Sequence, residues 1–347
     1  MPTIYDLVNA PNIAAYYQNN PSNNIPYLGA TLFPSKKQLG LDLSWIKGSK
    51  GLPVALKPAE FDTKASVRDR IGFSKVQTEM PFFREAMRVG EKERQEINRL
   101  LASNLDEMTK TVIANIYDDV TTLVNGANVQ PERMIMQLLS TGKIRITADR
   151  LDYDYDYKMQ NDHKEVLAAG AQWSSVDSTP IQDILRWQDT VEENTGTRPT
   201  SAIMTRKTFG YLLKHKSILL DMNPLGGQNV IMTDALLKQY LQTKFGLSVA
   251  IYNKKYRDEN GVLHNFFPDD YFTLIPEGSL GSTYYGTTPE ESDLMTGQSV
   301  ADVSIVNTGV AITTVKEPHP VNVNTIVSEI VLPSFETIDN IFAAKVN

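Results

Sequence analysis

The chain of 347 residues contains no cysteine. That excludes disulfides, thiolate metal sites and cysteine nucleophiles, and it suits folding in a reducing cytosol. No run of 18 apolar residues occurs, so no membrane span is expected. The opening residues, MPTIYDLVNAPNIAAYY, lack a basic segment followed by an apolar one and do not read as a secretory signal. An Asn-x-Ser/Thr acceptor with an allowed middle residue is also missing. Histidine is scarce: His163, His215, His264 and His319 are far apart and share no ligand spacing, so each reads as a surface or packing residue. The patterns G-x-x-x-x-G-K-[ST], G-x-G-x-x-G, H-E-x-x-H and G-x-S-x-G are all absent. Gly226-Gly227 is a turn without the Lys-Ser/Thr that a phosphate loop needs. Positive charge is in deficit, with 34 Lys/Arg against 41 Asp/Glu, and a net charge of −7 argues against a general nucleic-acid binder.

What is present can bury a core. Hydrophobic residues make up 41% and charged residues 22%, and the length allows two domains. The stretch Glu91 to Asn125 has neither glycine nor proline. Its apolar positions Ile97, Leu101, Leu105, Met108, Val112, Ile116, Val120 and Leu123 are spaced three or four apart, which predicts one helix with a continuous stripe. Such a helix is roughly 50 Å long. Glu91, Glu93 and Glu96 suit its positive end, and Gly126 is the expected cap. A core helix, a coiled-coil arm and a rod in an extended subunit all remain compatible with it.

Residues 1–26, rich in Asn and Pro, read as an extended arm in which Tyr16 and Tyr17 are candidate anchors on a neighbouring surface. Leu39, Leu41, Leu43 and Trp45 then alternate with Gly40, Asp42 and Ser44. The turn-forming Lys47-Gly48-Ser49-Lys50-Gly51 and a second run, Leu52 to Leu56, complete a predicted β-hairpin. Pro53 makes the second strand an edge. Residues 36–75 hold nine Lys/Arg and four Asp/Glu, so this segment is basic on an otherwise acidic chain. Charge complementarity would dock it onto a neighbouring body, although exposed lysines also simply solvate a loop.

Beyond the long helix, Gln130-Pro131-Glu132 predicts a new helix. Lys143 to Thr147 and LDYDYDY (151–157) alternate as strands, with Asp152, Asp154 and Asp156 sharing one face. Those aspartates sit about 7 Å apart along the strand and do not converge on one ion, so no metal site is assigned. Residues 161–180 read as a polar connector. A helix over Pro180 to Thr195 follows, capped by Thr179 or Ser178, then a strand over Ser201 to Thr205 and a helix from Lys207 to His215. Thr233 caps a helix ended by Gly246, Asp258-Glu259-Asn260-Gly261 marks a hairpin, and 277–302 reads as a long loop. The last segments read as strands.

Tyr27-Leu28-Gly29, Leu32-Phe33-Pro34, Leu41-Asp42, Trp45-Ile46-Lys47-Gly48, Gly51-Leu52-Pro53-Val54 and Phe61-Asp62 occur in order. Met80-Pro81-Phe82-Phe83, and Ala148-Asp149 before Tyr153 to Tyr157, continue the series. Over about the first half of the chain this ordered set resembles the major capsid proteins related to that of phage lambda. The resemblance implies an α+β, HK97-type capsid fold. Its parts would be an N-terminal arm (1–38), an extended E-loop hairpin (39–75), a peripheral domain (76–175) with the spine helix 91–125, an axial α/β domain (176–310), and terminal strands (311–347) that complete the sheets.

It also implies a structural role without catalysis or cofactor. Copies would form hexamers and pentamers in the icosahedral head of a tailed double-stranded DNA phage, assembled in the host bacterial cytoplasm and ending in the virion. The expected subunit contacts are Trp45, Ile46 and Leu52 as apolar anchors and Lys47, Lys50, Lys57, Arg68 and Arg70 as charge partners. Only about 26 residues precede the signature, which points to a separate scaffolding protein. A portal, a possible decoration protein and packaged DNA held non-specifically are the other expected partners. Some HK97-type shells are cross-linked between lysine and asparagine; nothing here pairs Lys57 with an asparagine, and no cross-link is expected. An encapsulin-like compartment shell is the alternative in the same fold class, and a cytosolic enzyme the alternative in another.

Overall fold

The strand Val321–Ser334 organises the first of two units in the computed structural model. The structure describes residues 4–23, 25–47, 74–102, 106–148, 151–224, 231–297, 301–319 and 321–347. The first unit takes in 1–43, 77–132 and 282–334. Val321–Ser334 pairs antiparallel with Val310–Pro318, Phe82–Val89 and Ser282–Tyr285. Asp302–Val306 extends the sheet beyond Val310–Pro318, and Ser35–Lys37 joins Ser282–Tyr285 in parallel. Most of Val321–Ser334 is buried on both faces, consistent with the unbroken apolar run from Ile330 to Leu332.

The N-terminal segment departs from the expected extended arm. Ala10–Asn19 is a helix: Asn9 caps it by accepting the Asn12 amide (2.9 Å), and Pro11 lies in the first turn. Ile13, Ala14 and Tyr17 enter a core with Ile97, Val120, Leu123, Val124, Ile312, Val323 and Val327. The Asn/Pro richness that suggested a loop is the capping chemistry itself. Tyr16 and Tyr17 are anchors within their own chain: the Tyr16 hydroxyl donates to Asp118 (2.7 Å), and Tyr17 is buried.

The long helix also differs from expectation. Its described parts are Glu91–Ala102 and Asp106–Thr141, and the second runs on through Gly126 and Pro131. A proline inside a helix removes one hydrogen bond and costs about 3 kcal/mol. Beyond it Met134, Ile135, Met136, Leu138 and Leu139 are all at most 1% exposed. Fully burying each such side chain is worth about 1.5–3 kcal/mol, so the packed face outweighs the lost bond. The helix ends instead at Gly142 (φ +70°), where a Cβ would lie 2.8 Å from that of Met159. The chain leaves the first unit between Glu132 and Arg133, within this helix.

The second unit takes in 44–76, 133–281 and 335–347. Its five-stranded mixed sheet runs Lys164–Val166, Phe342–Lys345, Tyr271–Ile275, Ser201–Met204, Ser248–Ile251. Helices Pro180–Thr195, Arg206–Lys214 and Asp234–Phe245 stand where the sequence placed them. They share a core with the sheet in which Trp173 and Trp187 stack (5.8 Å) and Trp187 stacks on Phe342 (5.3 Å). Thr233 and Thr205 cap through their hydroxyls, while Thr179 makes no side-chain cap bond. Lys255–Arg257 pairs with Leu263–Asn265, the hairpin read from sequence, and Lys143–Ala148 and Leu151–Asp156, read as separate strands, pair with each other.

Two stretches carry more structure than their composition suggested. The connector 161–180 contributes Lys164–Val166 to the sheet and buries Leu167 and Trp173. The expected loop 277–302 contains the strand Ser282–Tyr285 and the helix Pro289–Thr296. Thr288 caps that helix by accepting the Glu291 amide, with Pro289 in its first turn, a start signal present in the sequence.

Candidate subunit-contact site

The predicted hairpin leaves the body through the strands Asp42–Lys47 and Ser74–Glu79, which pair with each other. In the first unit its root is closely fitted. The Met80 amide donates to the Leu41 carbonyl (2.9 Å), and Gly40 turns with φ +87°. Gly286 faces this root. A Cβ there would lie 2.7 Å from Ile330 Cγ2, 2.8 Å from the Gly40 carbonyl oxygen and 2.8 Å from Met80 Cε, so only glycine fits.

Side chains fasten the same region. Lys37 Nζ donates to the Gly286 carbonyl (2.8 Å) and pairs with Glu291 (2.5 Å). Arg84 pairs with Glu290 (2.7 Å), whose other oxygen accepts from Ser328 Oγ (3.0 Å). The two acids are the first-turn residues of Pro289–Thr296, where the helix dipole also favours them. Further back, the Gly29 amide donates to buried Glu132 on the long helix (2.9 Å). Burial, and secondarily the Glu132 charge, push the Tyr27 hydroxyl up to about 12. Of the opening motifs, Leu41-Asp42 and Met80-Pro81 thus meet at the root.

Of the expected contact residues, Trp45 is 6% exposed. Its ring stacks on Tyr157 (5.2 Å, 30°), so its apolar surface is already covered by its own chain rather than offered to a neighbour. Ile46 and Lys47 close the strand Asp42–Lys47. Lys50, Leu52, Lys57, Arg68 and Arg70, with the predicted turn and second strand, lie outside the described residues.

One residue went unnoticed in the sequence. Glu329 sits in Val321–Ser334, is 1% exposed, and neither carboxylate oxygen has a hydrogen-bond partner. Strand alternation explains why: Ser328 and its cross-strand neighbour Arg84 turn to one face, where Glu290 joins them, while Glu329 and Phe83 turn to the other. Burial pushes the Glu329 carboxyl well above the usual range, favouring its neutral form. The Tyr285 hydroxyl is also raised, first by burial and then by Glu329. A single acid inside the run Ile326 to Leu332 was the available signal.

Among the described residues no group of three or more His, Asp or Glu could hold a metal ion. Asp152 accepts from Thr147 (2.7 Å), and Asp156 pairs with Lys143 (3.1 Å). His264 pairs with Asp258 (2.8 Å), and His163 is buried with Nε2 on Asn194 (2.9 Å). No described helix is long and apolar enough to cross a membrane.

The putative capsid protein of a prophage of Escherichia coli CFT073 has a TM-score of 0.62 at 17% identity, covering 98% of this chain and 99% of that one. A phage-related protein from Bordetella bronchiseptica RB50 has a TM-score of 0.56 at 14% identity, covering 97% of each chain. These likenesses are of fold, the α+β, HK97-type capsid fold. No curated protein sequence matches. The model of the family described as Phage major capsid protein E matches residues 9–346, and the chain belongs to that family.

Proposed function

We propose that copies of this chain assemble as hexamers and pentamers into the icosahedral head of a tailed double-stranded DNA phage. Membership of a phage major capsid family over nearly the whole length carries the reading and favours a phage head over an encapsulin-like compartment. The hairpin root supports it. Strands Asp42–Lys47 and Ser74–Glu79 are fixed at their base, and the sequence joining them carries Lys50, Lys57, Lys64, Arg68 and Arg70 against Glu60, Asp62 and Asp69. A basic excursion from an acidic chain suits docking onto the next copy.

In this reading Ile46, Lys47, Lys50, Leu52, Lys57, Arg68 and Arg70 form the inter-subunit contacts, while Trp45 braces the strand from which they extend. The role is structural rather than catalytic. Assembly would take place in the host bacterial cytoplasm with a separate scaffolding protein and a portal. A decoration protein is a further candidate partner, and the packaged DNA would be held by weak, non-specific contacts. Negative-stain electron microscopy of the purified chain, alone and with a scaffolding protein, tests this. Closed shells, sheets or hexameric rings are expected. A persistently small monomer or dimer with the scaffold present would overturn it.

A further inference from the structure

A groove of about 560 Å³ lies in the second unit, along one face of the helix Arg206–Lys214. Arg206, Gly210 and Lys214 recur every four residues, with Lys207 and Tyr211 beside them, and Lys216 follows on the next short helix. The face spans about 12 Å at 1.5 Å per residue. The opposite wall is the loop Trp173 to Val176.

That wall is held in place. His215, 5% exposed, lies 2.9 Å from Ser178 Oγ and 3.1 Å from the Ser175 carbonyl through Nε2. Its Nδ1 accepts the Ser217 amide (3.2 Å), which places the proton on Nε2. Ser178 and His215 are therefore a structural clamp and not a nucleophile with its base. Trp173 Nε1 donates to Asp183 (3.1 Å), fixing the indole at the groove edge.

The two ends of the groove differ in charge. Arg206 pairs with Asp234, and Lys207 with Asp270 (2.8 Å), which also accepts from Tyr211 (2.8 Å). Their charge is already answered. Lys214 and Lys216, both exposed, have no salt-bridge partner among the described residues. Between the ends lie Gly210, beside which a Cβ would meet nothing within 4 Å, and Val176, which is 68% exposed. A mid-helix glycine costs about 1 kcal/mol relative to alanine, and here it leaves an open apolar floor.

From this asymmetry we infer that the groove binds a short peptide segment of a partner protein, its acidic side chains on Lys214 and Lys216 and an adjacent aliphatic side chain over Gly210 and Val176. A nucleic-acid strand fits less well. Its evenly spaced phosphates would need free cations along the whole face, and the chain carries a net charge of −7.

The test uses the full-length purified chain and a fluorescein-labelled twelve-residue peptide (about four extended residues at 3.3 Å each cover the face, and the rest flank it) alternating glutamate and leucine, read by fluorescence anisotropy. Saturable binding is expected, weaker at higher salt. The double variant K214E/K216E should weaken it at least tenfold. Gly210→Leu, which fills the floor, should also weaken it at least tenfold without lowering the melting temperature. A peptide alternating glutamate and serine should bind at least tenfold more weakly than the leucine peptide. Absence of saturable binding, or insensitivity to K214E/K216E, would overturn the inference. So would a single-stranded oligonucleotide of equal length that binds as tightly and is lost with K214E/K216E, because that outcome assigns the groove to phosphates.

Discussion

Replacing Glu329 by Gln should change how the stability of this protein depends on pH. Glu329 is buried within a sheet, its oxygens meet no donor, and burial pushes its carboxyl well above the ordinary range. An unfolded glutamate releases its proton near pH 4.3. Where the folded state still holds the proton and the unfolded state has lost it, stability falls by about 1.4 kcal/mol for each unit of rising pH. Below the unfolded value there is no loss. The loss accumulates upward from there and levels off only above the raised folded value. Over the span between the two values this residue alone should therefore make stability fall as the pH rises. No discount for solvent screening applies to a side chain 1% exposed.

Glu329→Gln keeps the shape and cannot ionise. Both side chains leave polar atoms unpaired, a cost of about 1–3 kcal/mol that appears in each and largely cancels in the comparison. The variant should match the parent within about 1 kcal/mol near pH 4 and gain on it progressively as the pH rises above the unfolded value. Denaturant unfolding of unassembled subunits at pH 4, 5, 6 and 7 measures the gap. Parallel curves for the two proteins, or a variant less stable at pH 7 than its parent, would refute the reasoning, because either would mean that Glu329 is ionised and paired when folded.

Gly286→Ala should destabilise the first unit by about 1–3 kcal/mol through overpacking, since the Gly40 carbonyl 2.8 Å away is backbone and cannot turn aside; a lowered denaturation midpoint checks this. Deleting residues 46–52 should give soluble subunits that form no shells, and normal shells in the electron microscope would contradict the docking role of the hairpin. Thr288→Ala should cost about 1 kcal/mol by removing the cap on Pro289–Thr296, seen as a loss of melting temperature that Thr288→Ser largely restores. Assembled particles boiled in SDS should run as a single band, and a ladder of multimers would show covalent cross-links.

Local chemistry was legible wherever a segment's own residues decide its structure. The helices Pro180–Thr195 and Asp234–Phe245, the strands Lys143–Ala148 and Leu151–Asp156, and the hairpin at 255–265 follow from periodicity, a capping threonine, terminal glycines and an Asn-Gly turn. The ordered motifs at the front also carried the family resemblance, and two of their residues, Leu41 and Met80, are hydrogen-bonded at the root of the hairpin. Local signals misled where packing opposed them. Gly126 and Pro131 read as a stop and a start, yet the helix runs through both because the apolar face beyond them is buried. Asn9, Pro11 and Asn12 read as loop until the buried side chains of Ala10–Asn19 showed them to be a helix start. Trp45 looked like a free anchor because nothing in sequence reveals that Tyr157 covers it. Composition and periodicity fix which segments become helices and strands, since those depend on neighbours along the chain. Which surfaces are covered, whether Glu329 finds a partner, and which lysines of the groove stay unpaired depend on residues far apart in sequence, and only the tertiary structure decides them.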